Sequence, residues 1–192
     1  MNKGFLHSIL RSKQTVFTFK DLLLQWQGVD VGTAKKRVSY YVKSGSLYRI
    51  RKGIYAKDPL YDPLELATKI YTPAYISFET VLGAAGVTFQ YYDQIFVASY
   101  QTHEITADGH KIVYKRLKRS ILTNSMGIEN RENYAIASVE RAFLDTVYLH
   151  RDYHFDHLRP LNWDKVFEIL SIYGNKAMAT RVNHYYNGSQ EQ

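Results

Sequence analysis

The chain has 192 residues, a formal net charge of +7 and no cysteine. Its hydrophobic content of 45% and aromatic content of 15% are enough to bury a core, which excludes a disordered chain, and the absence of cysteine excludes disulfide bonds and thiolate metal sites. We therefore expect a globular, cytoplasmic protein. Because no stretch of about 18 apolar residues occurs, we also expect no membrane-spanning helix.

The positive charge is concentrated in the first third of the chain. Residues 1–57 contain 12 Lys and Arg against 2 acidic residues, a net charge of +10, whereas residues 58–192 contain 13 against 16, a net charge of −3. A basic block beside a nearly neutral remainder is typical of a protein in which one module faces a polyanion. We predict two domains, residues 1–58 and 59–192, of which the first binds nucleic acid.

The basic block predicts three helices followed by a β-hairpin. Apolar residues recur at helical spacing from Phe5 to Leu10 and again from Phe17 to Trp26. A third helix is predicted over residues 32–43, and a hairpin with its turn at Gly53 is predicted over residues 47–57. This order of elements is that of a winged helix-turn-helix domain.

The third predicted helix has an apolar face and a basic face. Ala34, Val38, Tyr41 and Val42 share the side that we expect to pack inward. On the outward side and in the hairpin, cations can neutralise phosphates, while a hydroxyl and a phenol can approach base edges. The predicted DNA-binding residues are Lys35, Lys36, Arg37, Ser39, Tyr40, Lys43, Arg49, Arg51 and Lys52. The alternative is that these residues form only a solvated surface.

Three segments resemble the AbiEi-type antitoxin family. They are VSYYVKSGSLYRIRKGIYAK (residues 38–57), YISFETVLGAAGV (residues 75–87) and ASVERAFLDTVYL (residues 137–149), and they occur in the order expected for that family. The resemblance implies a winged helix that represses the promoter of its own operon. It further implies a second domain that counteracts a nucleotidyltransferase-type toxin, as in type IV toxin-antitoxin systems. In the second domain the resemblance covers Ser77, Glu79, Arg141 and Asp145.

The remainder of the chain predicts both helices and strands. The predicted elements are a helix over 63–70, a helix capped by Ser77, a strand over 94–100, a hairpin over 103–117 with its turn at Asp108 and Gly109, a core helix over 137–150 capped by Ser138, and a helix capped by Asn162. We therefore predict an α+β protein, with an N-terminal winged helix-turn-helix followed by a mixed α/β domain that contains a small antiparallel sheet and several helices.

The second arm of the predicted hairpin is strongly basic. Its cations are Lys111, Lys115, Arg116, Lys118 and Arg119. Such a stripe can contact DNA or an acidic partner, but lysines also protect an edge strand from aggregation, which we consider the simpler interpretation.

Arg141 and Asp145 are spaced to pair along the surface of the core helix. In the AbiEi-type family this Arg-Ala-x-x-Asp pattern implies an architectural or partner-facing role. No second carboxylate or nucleophile is identified beside it, so the pattern does not predict catalysis.

The stretch HRDYHFDH contains His150, His154 and His157. In a helix these three residues would share one face, within reach of a single zinc ion, and this supports an alternative function as a nucleic-acid-processing metalloenzyme. The other interpretation is a polar connection whose side chains are solvated. We predict the second, and hence no enzymatic activity, no metal and no cofactor.

The predicted partners are double-stranded DNA and a cognate toxin with a nucleotidyltransferase fold, and no membrane. A third alternative is a winged helix that binds protein instead of DNA. The sequence leaves the oligomeric state, the operator and any small-molecule ligand open.

Overall fold

The protein is built from a mixed succession of helices and strands, and its computed structural model describes residues 4–190. The helices are α1 (Gly4–Arg11), α2 (Phe19–Gln25), α3 (Val31–Lys43), α4 (Pro63–Ile70), α5 (Glu79–Ala84), α6 (Arg119–Leu122), α7 (Val139–Leu149), α8 (Trp163–Leu170) and α9 (Lys176–Gln190), with a short 3-10 turn at Ser171–Tyr173. The strands are β1 (Val16–Thr18), β2 (Tyr48–Arg51), β3 (Ile54–Ala56), β4 (Ala74–Ile76), β5 (Gln94–Ser99), β6 (His103–Ala107), β7 (His110–Arg116), β8 (Ile128–Asn130) and β9 (Ala135–Ala137). The predicted α+β class is confirmed, and none of the helices in the described part is long and apolar enough to cross a membrane.

The N-terminal part contains the three predicted helices and the predicted hairpin, together with a strand that the sequence did not predict. β1 pairs antiparallel with β3, which gives a three-stranded sheet in the order β1-β3-β2. Phe17, which we placed in the second helix, lies in β1. The helix begins later because Thr18 caps it: its hydroxyl accepts from the backbone N–H of Asp21 at 3.1 Å, and its own N–H donates to the Asp21 carboxylate at 2.9 Å.

The three-stranded sheet lies between two hydrophobic cores. Phe17 belongs to a smaller core with Trp26 and with residues of α1, α2 and α3, such as Leu22. Val16 and Ile54 belong instead to the larger core that the rest of the chain builds. This split follows from the alternation of side chains along a strand. The predicted division at residues 58 and 59 stays a prediction, since one face of the N-terminal sheet packs on the larger core.

The second sheet has six strands in the order β6-β7-β5-β4-β9-β8. β5 pairs parallel with β7, and β4 pairs parallel with β9, while the other pairs are antiparallel. The prediction of a small antiparallel sheet is therefore wrong, because the sheet has six strands and two of its strand pairs are parallel. The hairpin β6–β7 inserts its more apolar arm beside β5, because Ile112 and Tyr114 of β7 are fully buried. The edge strand is consequently β6, and the lysines of β7 do not protect an edge.

Helix α7 is the central helix of the larger core, since every residue from Glu140 to Val147 is buried. Its predicted cap is confirmed, because the Ser138 hydroxyl accepts from the N–H of Arg141 at 3.2 Å. The predicted cap of α5 is wrong: Phe78 occupies that position at φ +55°, and no side chain caps the helix. The Ser77 hydroxyl is instead bonded to α7, as described below.

Polar contacts join the N-terminal part to the rest of the chain. Thr15 donates its N–H and its hydroxyl to Glu65 of α4, at 2.9 and 2.7 Å. A second contact is the ion pair between Asp21 of α2 and Lys69 of α4, at 3.0 Å. Tyr48 of β2 and Tyr61 both donate to the carboxylate of Asp108, in the β6–β7 turn, at 2.8 Å. The hairpin β2–β3 is thus attached to the second sheet.

Candidate nucleic-acid interface

Helix α3 is oriented by its apolar face. Ala34 and Val38 are buried and Tyr41 is 9% exposed, and all three pack in the smaller core. Asp30 caps the helix by accepting from the N–H of Thr33 at 3.0 Å. The chain turns away after the helix at Gly45, whose φ is +71°.

The opposite face of α3 is open to solvent, as the sequence predicts. Its exposed residues are Lys35, Lys36, Ser39, Tyr40 and Lys43. Half of the Tyr40 surface is exposed, although its ring also makes an edge contact with Tyr41 at a centroid distance of 5.8 Å. This face therefore combines three ammonium groups with a hydroxyl and a phenol over one 13-residue helix.

Arg37 lies between the two faces and packs within the protein. Its guanidinium carbon is 4.1 Å from the centroid of the Phe5 ring, so Arg37 holds α1 against α3 by a cation–π contact. One of its guanidinium nitrogens is buried without a hydrogen-bond partner among residues 4–190. Arg37 is thus less available to a ligand than the lysines beside it.

A β-bulge in β2 separates the two arginines of the hairpin. Arg49 is opposite Tyr55, whereas Arg51 is opposite Ile54 after a shift in register. Tyr55 packs on the smaller core and Ile54 on the larger one. Because cross-strand partners point to the same face, Arg49 lies on the side of α3 and Arg51 on the side of the second sheet. Arg51 is in fact close enough to Tyr114 to oppose the rise in the pKa of that hydroxyl that burial causes.

Helix α3 and the hairpin meet around one shallow cavity of about 140 Å³. Ser39 and Lys43 line it from the helix, and Arg49 and Tyr55 line it from the hairpin. The cationic side chains of the two elements therefore form one continuous surface at this point. Tyr55 was not among the predicted site residues, although its alternation with Ile54 in a strand is the signal that places it on this side.

The exposed cations of α3 and of the hairpin, on whichever face they lie, are without an acidic partner in the part of the chain that the structure describes. Between Gly4 and Gln190, neither the exposed lysines of α3 nor Arg49, Arg51 and Lys52 make a salt bridge. Lys52 lies in the two-residue turn that precedes Ile54 and is exposed. An uncompensated positive surface of this kind attracts polyanions.

Three of the four residues named for the resemblance in residues 59–192, Ser77, Arg141 and Asp145, lie in a buried polar network. Asp145 accepts from the hydroxyls of Tyr75 and Ser77 at 2.9 Å and from that of Tyr173 at 2.7 Å. Arg141 donates to Asp145 from Nε at 3.2 Å. Neither Arg141 nor Asp145 is exposed, so the expected surface pair is in fact a core pair.

The Arg141 guanidinium is surrounded by acceptors. It donates to the carbonyl oxygens of Met126 at 2.7 Å and Ile121 at 2.8 Å, and to the Tyr75 hydroxyl at 2.9 Å. Burial raises the pKa of the Asp145 carboxyl, and the Arg141 guanidinium together with the three hydroxyl donors opposes that rise. The network holds β4, α7 and the 3-10 turn together, which supports an architectural role.

Glu79 and Lys115 form another internal pair, with Nζ–Oε distances of 2.8 and 2.9 Å. The same ammonium group lies 4.9 Å from the Phe78 ring and 4.7 Å from the Phe96 ring. The ammonium group of Lys115 is thus engaged in contacts within the fold. The other four cations of the basic stripe, Lys111, Arg116, Lys118 and Arg119, are exposed.

The histidine-rich stretch is not helical, because α7 ends at Leu149 and the chain from His150 to His157 forms neither helix nor strand. The i, i+4, i+7 arrangement on which the zinc hypothesis depended is therefore absent. No group of three or more His, Asp or Glu residues in the part described, 4–190, is placed to hold a metal ion. His154 lies 3.7 Å from Asp156 and is largely exposed.

The fold has a distant relative among solved structures. The chain is similar to the crystal structure of the RV2827C protein from Mycobacterium tuberculosis, with a TM-score of 0.51 and 12% sequence identity, over 96% of this chain and 75% of the mycobacterial one. No protein-family model matches the sequence. No curated protein matches it either. The similarity therefore concerns the fold alone.

Proposed function

We propose that the N-terminal part is a winged helix-turn-helix that binds double-stranded DNA, and that the protein is a transcriptional regulator. The observation that carries this proposal is the cavity where Ser39 and Lys43 of α3 meet Arg49 of the hairpin. The order α1-β1-α2-α3-β2-β3 and the open basic face of α3 support it. In a winged helix the third helix enters the major groove and the hairpin contacts the adjacent backbone.

The dimensions of α3 suit this task. Its 13 residues give a length of about 20 Å, and the major groove is about 12 Å wide, so the helix can lie in the groove with its exposed face toward the bases. Lys35, Lys36 and Lys43 would then neutralise phosphates. Ser39 and Tyr40 lie on the same face and are the candidates for base contact, since phosphate contacts carry no sequence information.

Competition binding with fluorescence anisotropy tests this assignment. A fluorescent duplex selected from a random pool serves as ligand, and the double variant Lys35→Gln/Lys36→Gln is compared with Lys165→Gln/Lys176→Gln, which removes the same charge from exposed positions of α8 and α9. We expect the α3 variant to lose at least about ten-fold in affinity and the control to bind like the wild type. Equal losses in both variants would show that net charge, and not α3, carries binding.

We further propose that the regulator is an antitoxin of the AbiEi type that represses its own operon. This part rests on the three segments that resemble the family. Two of them meet in the buried network around Asp145. They therefore stabilise the second domain but do not form a surface that a partner protein could contact. The test begins with the adjacent open reading frame: a nucleotidyltransferase encoded there is expected, and the protein is coexpressed with it. Rescue of growth by the wild type is expected, and the Lys35→Gln/Lys36→Gln variant should keep that rescue while it loses repression of a promoter fusion.

A further inference from the structure

A second, larger cavity lies between the histidine-rich stretch and α9. Its volume is about 490 Å³, within the range of small-molecule sites. Arg151 and His154 line it from the stretch, and Thr180, Arg181 and His184 line it from the helix. The proposed DNA-binding surface does not involve any of these residues.

The two arginines of this cavity have no carboxylate partner. Within the described part of the chain neither Arg151 nor Arg181 forms a salt bridge. Arg181 is fixed by neutral acceptors, since it donates to the carbonyl oxygens of Val147 at 3.0 Å and Ala177 at 3.4 Å. Its position is thus set by the backbone while its charge remains uncompensated. One carboxylate, that of Asp152, also lines the cavity, so the wall carries a formal charge of +1 when both histidines are neutral.

The remaining wall is aromatic. Tyr153 and Tyr185 line the cavity, and the Tyr185 hydroxyl donates to the Tyr153 carbonyl oxygen at 2.6 Å, which joins the stretch to α9. Phe155 packs against both rings, at centroid distances of 4.8 and 5.2 Å. This packing fixes the tyrosines, so the cavity offers flat apolar surface next to its cations.

We propose that this cavity binds a small phosphate monoester with an apolar or aromatic organic group. The donors are two guanidinium groups, two imidazoles and a threonine hydroxyl, which is more than the two oxygens of a carboxylate can use. A phosphate has three terminal oxygens and close to two negative charges, and guanidinium groups bind it in a planar fork. The organic group lies against Tyr153 and Tyr185. The histidine-rich stretch thus serves as one wall of an anion site.

Titration of the full chain with phenyl phosphate, followed by NMR of histidine rings labelled with ¹³C, tests this proposal. Phenol and inorganic phosphate are titrated in parallel at constant ionic strength. We expect saturable shifts of the His154 and His184 signals with phenyl phosphate, weaker binding of inorganic phosphate and none of phenol. We expect Arg151→Gln and Arg181→Gln each to raise the Kd about ten-fold, as the loss of one charge-assisted contact implies. The exposed Arg131→Gln is the matched control.

Several results would overturn the proposal. They are shifts that do not saturate, shifts that chloride reproduces at equal ionic strength, and binding by Arg151→Gln equal to that of the wild type. Arg151 is exposed and makes none of the carbonyl contacts of Arg181, so its variant tests the site even if Arg181→Gln does not fold. Displacement of phenyl phosphate by excess duplex DNA would assign the cavity to nucleic acid and would also contradict a small-molecule site.

Discussion

Arg141 and Asp145 lie one turn apart on α7, joined by a 3.2 Å contact between Nε and Oδ1, and neither residue has exposed surface. Tyr75 and Ser77, in the segment of residues 75–87, donate hydrogen bonds to the carboxylate of Asp145. Two of the three segments on which the proposed antitoxin assignment rests thus meet inside the protein. The hydrogen bonds between the two segments stabilise the junction of β4 and α7. This junction is buried, so a partner protein cannot reach it in the folded state.

Loss of Arg141 should be strongly destabilising. The change Arg141→Leu leaves the Asp145 carboxylate buried without its cation, which costs about 3–5 kcal/mol of unfolding free energy. Urea denaturation measures this loss of unfolding free energy. Arg131→Leu is the control, because the Arg131 side chain forms an exposed ion pair with Glu129 at 3.6 Å, and the change in unfolding free energy should stay within about 0.5 kcal/mol. Similar losses in both variants would contradict the architectural role of the network.

The sequence was sufficient to predict those elements whose sequence signals are local. The caps at Ser138 and Asn162 and the turn at Asp108 and Gly109 were all predicted, because each depends on residues that are close together in the sequence. The burial of the Arg141–Asp145 pair was not predicted, because its i,i+4 spacing is equally compatible with a surface pair.

The pairing of strands that are distant in the chain could not be predicted from the sequence either. β1 is only three residues long, and it is a strand because β3 pairs with it. The parallel pairing of β5 with β7 likewise depends on partners distant in the chain. At the candidate interface, the helix face was predictable from its periodicity. The separation of Arg49 from Arg51 was not, because no residue pattern in the hairpin indicates the bulge.

Gly127 should be intolerant of a side chain. Its φ is +71°, and a Cβ there would lie 2.8 Å from Ile169 Cδ1 and 2.9 Å from Arg141 Cβ. Gly86 has the same φ of +71° with no atom within 4 Å of the added Cβ, so Gly86→Ala reports the backbone cost alone, about 1–2 kcal/mol. We expect Gly127→Ala to cost about 1–3 kcal/mol more, since overpacking adds to it. Thermal unfolding of the two variants compares them, and equal stabilities would contradict the close packing against α7.

Glu65 should make stability depend on pH. Burial raises the pKa of its carboxyl despite the bonds from Thr15. A folded-state pKa above the unfolded value means that the neutral acid is the better tolerated form. Its stabilising contribution is complete below pH about 4 and is lost as the pH rises through the folded-state pKa. Glu65→Gln is neutral throughout.

We therefore expect the stability of Glu65→Gln relative to the wild type to improve between pH 4 and pH 7. Urea denaturation at both pH values measures this difference, and the exposed Glu104→Gln on β6 is the control. A relative stability that falls over this interval would contradict the burial effect.

The bulge in β2 predicts different roles for the two hairpin arginines. Arg49 lines the cavity beside α3, whereas Arg51 is paired with Ile54 and lies on the side of the larger core. Both variants remove one positive charge, so they control for each other. We expect Arg49→Gln to weaken DNA binding about three- to ten-fold and Arg51→Gln by less than about two-fold, as measured by anisotropy at fixed salt. The reverse order would show that the hairpin meets DNA with its other face.

The salt dependence of duplex binding tests the proposed function most directly. If about four to six cations of α3 and the hairpin contact phosphates, log Kobs should fall with log[salt] at a slope of about −4 to −5 for the wild type. In the triple variant Lys35→Gln/Lys36→Gln/Lys43→Gln, the slope should become less negative by about 3, since each lost phosphate contact removes about 0.9. A wild-type affinity that does not change with salt, or a triple variant that keeps the wild-type slope, would contradict DNA binding through this surface.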